Sequence, residues 1–500
     1  MPAFIDARTV PAGTTIDTDI LLIGGGPAGI TLAIALADTR ARVTLLESGG
    51  MEFDAATQAL YDGPETGVHY LTLDGSRLRF LGGSTNHWGG WCRPLDKIDF
   101  EKRSWLAHSG WPFGRETLEP YYPRAQSLVE AGPPIYDKPE VWSRGAGDAP
   151  LTLGNGGVYT TFFQFSKMRG STLPTHFGER YAEDLKRIEN LNLYLNANVT
   201  ALKLAKDARQ LDHVQVATLG GTAFTVRPRI TVLCMGAIEN ARLMLASNDV
   251  MTPGVGNGND LVGRYFADHP IPGETATMVL FDGRLAPYYL NNSDANGVHF
   301  RAAFAPSDGF KRERYVLGSL ITVDGTRKLG DIGLAVVKAA ADALRIDASK
   351  ARAFNLGCGL EPEPDPERRI TLADTRDALG QPRAKLTMRI ADADFDRYRR
   401  TLSELGRQLM AAGVGVLQIR HKRREDWLAG LDWANHHMGT TRMHVDPKQG
   451  VVDADSRVHG IANLFVAGSG VFPTYGASNP TMNLVALSLR LADHLKGALR

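Results

Sequence analysis

The stretch from Asp19 to Glu47 constrains this chain more than any other. Asp19-Ile-Leu-Leu-Ile23 is a short apolar run that reads as a buried parallel strand. It ends in Gly24-Gly25-Gly26-Pro27-Ala28-Gly29, passes into Ile30-Thr-Leu-Ala-Ile-Ala-Leu-Ala37, which is helical in length and composition, and returns as Val43-Thr-Leu-Leu-Glu47, a second strand closing on an acid. The result is a complete β-α-β unit. Gly24 allows the tight turn, Gly26 lets the backbone approach a pyrophosphate, and Gly29 lets the helix pack on the strand. Pro27 and Ala28 open a helix whose first N–H groups have no internal partners and face the phosphates. Glu47 stands where a carboxylate accepts the ribose hydroxyls of an adenosine and disfavours a 2′-phosphate. These residues predict a dinucleotide site; NAD and FAD both satisfy them.

The chain has 500 residues, about three domains' worth, enough for a large core without staples. Its 56 Lys and Arg against 55 Asp and Glu leave a formal charge of +1, so no long-range field favours nucleic acid, anionic lipid or acidic substrates. Cys92, Cys234 and Cys358 are far apart and form no C-x-x-C, which argues against an iron–sulfur cluster, a Cys-rich zinc site or a disulfide framework, and Cys92 and Cys234 are read as small buried residues. The first residues lack a basic start, an apolar stretch and a small-residue cleavage site, and no run approaches a membrane span; we expect a reducing, cytoplasmic compartment. Neither a G-x-S-x-G elbow nor a Gly-Lys-Ser/Thr phosphate loop is present, so hydrolase readings fall away. His436, His437 and His444 with Asp446 or Asp453 lack a closed metal-ligand spacing, and no metal site is expected.

Further along, Leu81-Gly-Gly-Ser-Thr-Asn-His-Trp-Gly-Gly-Trp-Cys-Arg-Pro94 has the composition of a ligand loop, and the stretch 145–157 is loop-rich. Short strands recur at Val199 to Leu204 and Val214 to Ala217. Ile230-Thr-Val-Leu-Cys-Met-Gly236 then feeds a helix from Ile238 to Ala246, which reads as a return to the first sheet. Residues 271 to 433 carry alternating, charged strand-like stretches such as Arg368 to Leu372 and Ala384 to Arg389, plus a helix from Phe395 to Met410, and predict a separate, mostly antiparallel domain. The last segment is dense again: Asn435-His436-His437-Met438-Gly439-Thr440, Asn463 to Gly470, Tyr475-Gly-Ala-Ser-Asn479-Pro480-Thr481, and a helix from Met482 to Leu495.

Taken together, these segments resemble the glucose–methanol–choline family of flavin oxidoreductases, nearest its pyranose oxidase and sugar dehydrogenase branch. The likeness runs through the β-α-β unit, the Gly-Gly-x-x-x-His-Trp loop, Gly236-Ala-Ile-Glu-Asn, Leu261-Val-Gly-Arg-Tyr-Phe-Ala-Asp-His-Pro270 and the C-terminus, and is weakest from 271 to 433. It implies FAD in a split Rossmann-like domain, built from 1–105, 188–270 and 434–500, and a mostly antiparallel substrate domain from 106–187 and 271–433. Aligned on the Gly-Thr step, the family's catalytic histidine corresponds to His436 and its partner to Asn479. Gly83, Asn86, His87, Trp88, Val199, Gly236, Gly468, Pro480 and Thr481 are implied to surround the flavin. His87 stands where pyranose oxidases attach the flavin covalently and several relatives keep an unbonded histidine; both readings stay open. Trp88 and Trp91 are read as packing rather than as a substrate platform, and His437 as a core histidine. Ala467-Gly-Ser-Gly470 departs from the family, in which many members have an acidic residue in this turn.

The chemistry of these residue types agrees. Alcohol oxidation needs a hydride acceptor that no side chain supplies, and a neutral imidazole suits the hydroxyl proton. Asn479 can donate to the substrate oxygen without competing for that proton. The leading expectation is therefore FAD-dependent oxidation of an alcohol group on a sugar, glycoside or polyol, with oxygen or another electron acceptor as the second substrate. A cyanohydrin lyase on the same scaffold and a non-enzymatic flavin-binding protein are the alternatives.

Overall fold

In the computed structural model, residues 4–142, 150–154, 156–167, 174–294 and 296–499 are described. Of the loop-rich stretch at 145–157, residues 145–149 and 155 lie outside them.

The β-α-β unit forms as its residues require. Strand Thr15–Ile23, helix Pro27–Ala35 and strand Val43–Leu46 follow one another, and the two strands pair in parallel from Ile20 opposite Val43 to Ile23 opposite Leu46. Val43–Leu46 is buried on both faces, which is why it reads as a continuous apolar run. Thr15–Ile23 also pairs in parallel with Ala223–Leu233, and that strand with Leu464–Val466. The return to the first sheet foreseen near Ile230 is thus realised, with a C-terminal strand added. In this eight-stranded sheet the order is Ile5–Asp6, Leu191–Leu195, Val43–Leu46, Thr15–Ile23, Ala223–Leu233, Leu211–Ala217 and Asn198–Leu204. Only the last two pairings of that series are antiparallel.

Residues distant in sequence build a second eight-stranded sheet, ordered Gly415–Ile419, Ala276–Leu280, Arg352–Leu360, Ser319–Arg327, His299–Pro306, Val158–Phe165 and Trp91–Cys92, with the short Asn292–Ser293 also paired to His299–Pro306. Every pairing in it is antiparallel. Helix Asp392–Ala411 covers it with Phe395, Tyr398, Leu402, Leu405 and Leu409, an i, i+3, i+4 stripe that joins Phe162, Phe300 and Phe304 in one core. The molecule is therefore a split α/β unit joined to a mostly antiparallel one.

The hairpin Arg369–Arg376 and Pro382–Met388 stays out of the second sheet. It pairs with Glu65–Gly67 instead, and its Ile370, Ala384, Leu386 and Met388 join the core of the first sheet. Local alternation specifies strands, but the partner of a strand is chosen by which core its apolar face meets.

Candidate active site

Three helix N-termini converge on one cleft. Pro27–Ala35 starts after Gly26, Ala237–Ala246 after Gly236 and Pro480–Ala498 after Asn479, and none of the three has a side-chain cap. Gly26, Pro27, Ala28, Gly236, Asn479, Pro480 and Thr481 all line the cleft, so uncapped N–H groups and the positive ends of three helices face it. Its empty space is about 1500 Å³, the open mouth included. Gly236 and Gly468 adopt φ of +81° and +108°, conformations that favour glycine, and a Cβ on either would meet no protein atom within 4 Å. The backbone there is bare towards open space.

Glu47 reaches the cleft at the end of its strand, with its carboxylate already held by the Gly25 N–H at 2.7 Å and the Gly49 N–H at 2.8 Å. The Ser48 hydroxyl donates to the same oxygen as Gly49, at 3.2 Å, and the oxygen that accepts from Gly25 keeps a lone pair for a further donor. Beside it lies a charged cluster whose role the sequence left unread. Glu239 receives Arg242 at 2.7 Å, Arg79 at 3.2 Å and Arg77 at 3.7 Å, all four nearly buried. Arg77 and Arg79 also stack over the Tyr61 ring, at 3.8 and 4.6 Å from its centroid. Three guanidinium groups against one carboxylate leave net positive charge, and Arg77 Nη1 and Arg79 Nε have no hydrogen-bond partner. Arg77, Arg79, Tyr61 and Glu239 all line the cleft. Buried donors without a hydrogen-bond partner, three helix N-termini and a carboxylate with a free lone pair together fit a ligand carrying a diphosphate and an adenosine, as FAD does.

At the other end of the cleft stand the expected catalytic pair. Asn479 Nδ2 lies 3.0 Å from His436 Nε2. On the far side of the ring, His436 Nδ1 lies 2.8 Å from His269 Nδ1, and His269 Nε2 lies 2.8 Å from the Gly476 carbonyl oxygen. Asp268 anchors the assembly from below: its Oδ1 accepts the backbone N–H groups of both His269 and His436 at 2.7 Å, and its Oδ2 accepts the Tyr70 hydroxyl at 2.5 Å. Burial drives the His436 imidazole well below its ordinary range, with His269 and His437 adding to the effect, and lowers His269 to about 4. Burial also raises the Asp268 carboxyl to about 6. Around neutral pH both rings are neutral.

Of the flavin-loop residues, Gly83, His87 and Trp88 line the cleft, as do Gly24, Val199 and Gly468. Burial, and then His176, lowers the His87 imidazole. Trp88 packs edge-on against Phe177 and donates to the Thr175 carbonyl at 3.0 Å, while Trp91 stacks on Phe163 at 4.2 Å; both rings are packed. Two residues expected at the cofactor do not line the cleft. Gly29 sits behind it, where its missing Cβ admits the Gly24 carbonyl, and Asn86 turns inward to donate to the Leu81 carbonyl at 2.9 Å. His437 does line it, packed beside the Tyr70 and Phe266 rings with Nε2 unpartnered, and burial lowers it to about 3. Asp268, His269, Arg77, Arg79 and Glu239 are the participants that sequence reasoning passed over. Asp268, His269 and Glu239 lie inside the stretches that carried the family likeness, and Arg77 and Arg79 sit just before Gly82-Gly83. No helix among the described residues is long and apolar enough to cross a membrane.

This fold and cleft define an oxidoreductase of the dinucleotide-binding, two-sheet kind. Residues 364–488 match the family model of the GMC oxidoreductases. The chain is 24% identical to the fructose dehydrogenase large subunit of Gluconobacter japonicus, over 97% of this chain and 99% of that protein. It is 25% identical to the 6‴-hydroxyparomomycin C oxidase of Streptomyces lividus, over 95% and 92%. Formate oxidase of Aspergillus oryzae superposes with a TM-score of 0.60 at 17% identity, covering 98% of this chain and 99% of that one, and speaks for the fold. The C-terminal part of the chain thus matches the GMC oxidoreductase family, and nearly its whole length is similar to sugar and alcohol oxidoreductases.

Proposed function

We propose that the protein oxidises an alcohol group of a sugar, glycoside or polyol to a carbonyl, with FAD in the cleft, His436 as base and Asn479 as the group that orients the substrate. The observation that carries this reading is the 3.0 Å approach of Asn479 Nδ2 to His436 Nε2 at the cleft wall. A hydroxyl that displaces this direct contact accepts from the Asn479 amide and donates to His436 Nε2, so its proton has a destination and its oxygen a fixed position. FAD, when bound, supplies the hydride acceptor that no side chain offers. The N-terminus of Pro27–Ala35 and the Arg77–Arg79 wall hold the diphosphate end by charge and by free N–H groups. Segments 1–105, 188–270 and 434–500 hold the cofactor in this reading, and 106–187 with 271–433 shape the substrate side. The substrate class is supported by relatives named for fructose, for an aminoglycoside and for 2-methyl-1,2-propanediol. Relatives named as oxidases and as dehydrogenases both occur, so oxygen and a dye are both to be offered as acceptors.

The test is anaerobic bleaching of the bound flavin by D-fructose, D-glucose, paromamine and 2-methyl-1,2-propanediol, followed by reoxidation with oxygen or a dye. Bleaching by at least one sugar or polyol is expected. Yellow protein that no member of a wide alcohol panel reduces, or colourless protein that refuses FAD, refutes the proposal.

A further inference from the structure

The chain of rings behind His436 has a direction set by its last member. A carbonyl oxygen only accepts, so the 2.8 Å contact between His269 Nε2 and the Gly476 carbonyl puts the His269 proton on Nε2. His269 is buried and its pKa is lowered to about 4, so the ring is neutral and its Nδ1 is a bare lone pair. The 2.8 Å contact between the two Nδ1 atoms then requires the proton on His436 Nδ1. His436 Nε2 is left bare and accepts from Asn479 Nδ2 at 3.0 Å. Every contact in the series has one donor and one acceptor under this assignment alone, and the Asp268 carboxylate locks the two histidines in register by accepting both of their backbone N–H groups.

We propose that His269 is a positioning residue that holds His436 in the Nδ1–H tautomer, so that the Nε2 lone pair is turned to the cleft as the base. The proposal rests on the reading of His436 as base and adds to it the means by which the wrong tautomer is excluded. A proton on Nε2 would set two N–H groups against each other at Asn479 and leave no acceptor for the hydroxyl proton. The groups that face the pair are Asp268 and His437 beside His436, and Glu361, which acts on His269 through space; Asp99 lies beyond Gly476. His269 does not line the cleft, so its influence passes through His436.

The direct test needs no change to His269. In holoenzyme labelled with 15N-histidine, the His436 signals, identified as those lost in His436→Asn, should report a protonated Nδ1 and a bare Nε2 at pH 7.5. A proton on His436 Nε2 in the wild-type holoenzyme overturns the proposal. Two variants then test the consequence, with D-glucose or D-fructose as reductant, whichever bleaches the flavin. His269→Gln keeps a donor for the Gly476 carbonyl but places no acceptor at His436 Nδ1. Its proton should move to Nε2, with flavin reduction slowed by up to roughly 10⁴-fold, the scale of losing the group that fixes a catalytic imidazole's tautomer. His269→Asn restores an acceptor near His436 Nδ1 and should recover most of the rate. If both variants reduce flavin at the wild-type rate while His436→Asn is crippled, the positioning role is refuted and the base stands. If His436→Asn itself reduces flavin normally, the base reading fails, and this proposal with it.

Discussion

Two glycines three residues apart, Gly26 and Gly29, should fail in opposite ways when given a side chain. A Cβ on Gly29 would stand 2.0 Å from the Gly24 carbonyl oxygen, whereas a Cβ on Gly26 finds nothing nearer than the Cys234 carbonyl oxygen at 4.0 Å. Gly26 also has an unremarkable φ of −78°, so valine is sterically admissible there. Gly26→Val should therefore cost the apoprotein about 1 kcal/mol, the scale of an unfavourable N-cap. Its three added carbons occupy the approach to the first turn of Pro27–Ala35. One charge-assisted hydrogen bond, about 1.5–3 kcal/mol, and part of the helix-end attraction, about 0.5–1 kcal/mol, are lost to the diphosphate. The sum, about 2–4 kcal/mol, weakens FAD binding roughly 30- to 1000-fold. Gly29→Ala instead wedges the helix off its strand, at about 3 kcal/mol of fold stability. Flavin absorbance per protein, FAD titration of apoprotein and urea unfolding of both apoproteins separate the two effects. The reasoning is wrong if Gly26→Val binds FAD as the wild type does, or if Gly29→Ala apoprotein unfolds at the wild-type urea concentration.

His436→Ala should slow flavin reduction roughly 10²–10⁴-fold with FAD retained, and Asn479→Ala should act on the same step, the double variant losing less than the sum in stopped-flow measurement. Because burial holds the His436 pKa below 6.5 and only the neutral ring accepts a proton, the reduction rate should stay flat from pH 8 to 6.5 and fall only at lower pH; an acid limb centred at or above 6.5 contradicts the burial. If His87 is bonded to the flavin, acid precipitation leaves the colour in the pellet and His87→Ala releases it; colour in the wild-type supernatant settles for noncovalent binding. Arg103 and Glu361 form a fully buried pair at 2.6 Å, so Glu361→Ala, which strands a guanidinium, should cost about 3–5 kcal/mol in urea unfolding, and a loss under about 1 kcal/mol would show the charge is compensated elsewhere.

The sequence by itself determined the parts of this protein whose causes are local. Asp19 to Glu47 spells strand, turn, helix and strand because apolar period, glycine and proline act within a few residues, and the glycines of that turn announce a diphosphate for the same reason. His436 and Asn479 were legible through family likeness, and their meeting at 3.0 Å needed the fold to bring residues 43 positions apart together. What only the tertiary structure decided is set by packing between distant segments. The hairpin at 369–388 alternates like a strand of the second sheet, yet its apolar face is buried in the core of the first. Asn86 reads as a cofactor contact but is satisfied by the Leu81 carbonyl five residues away, a competition that spacing does not show. Nothing local joins Arg77, Arg79 and Glu239, and only burial in one cluster makes each answer for the other. His269 carries no local mark of its role until folding sets it between His436 and the Gly476 carbonyl, because a tautomer is fixed by the partners of both ring nitrogens, and these come from three separate parts of the chain.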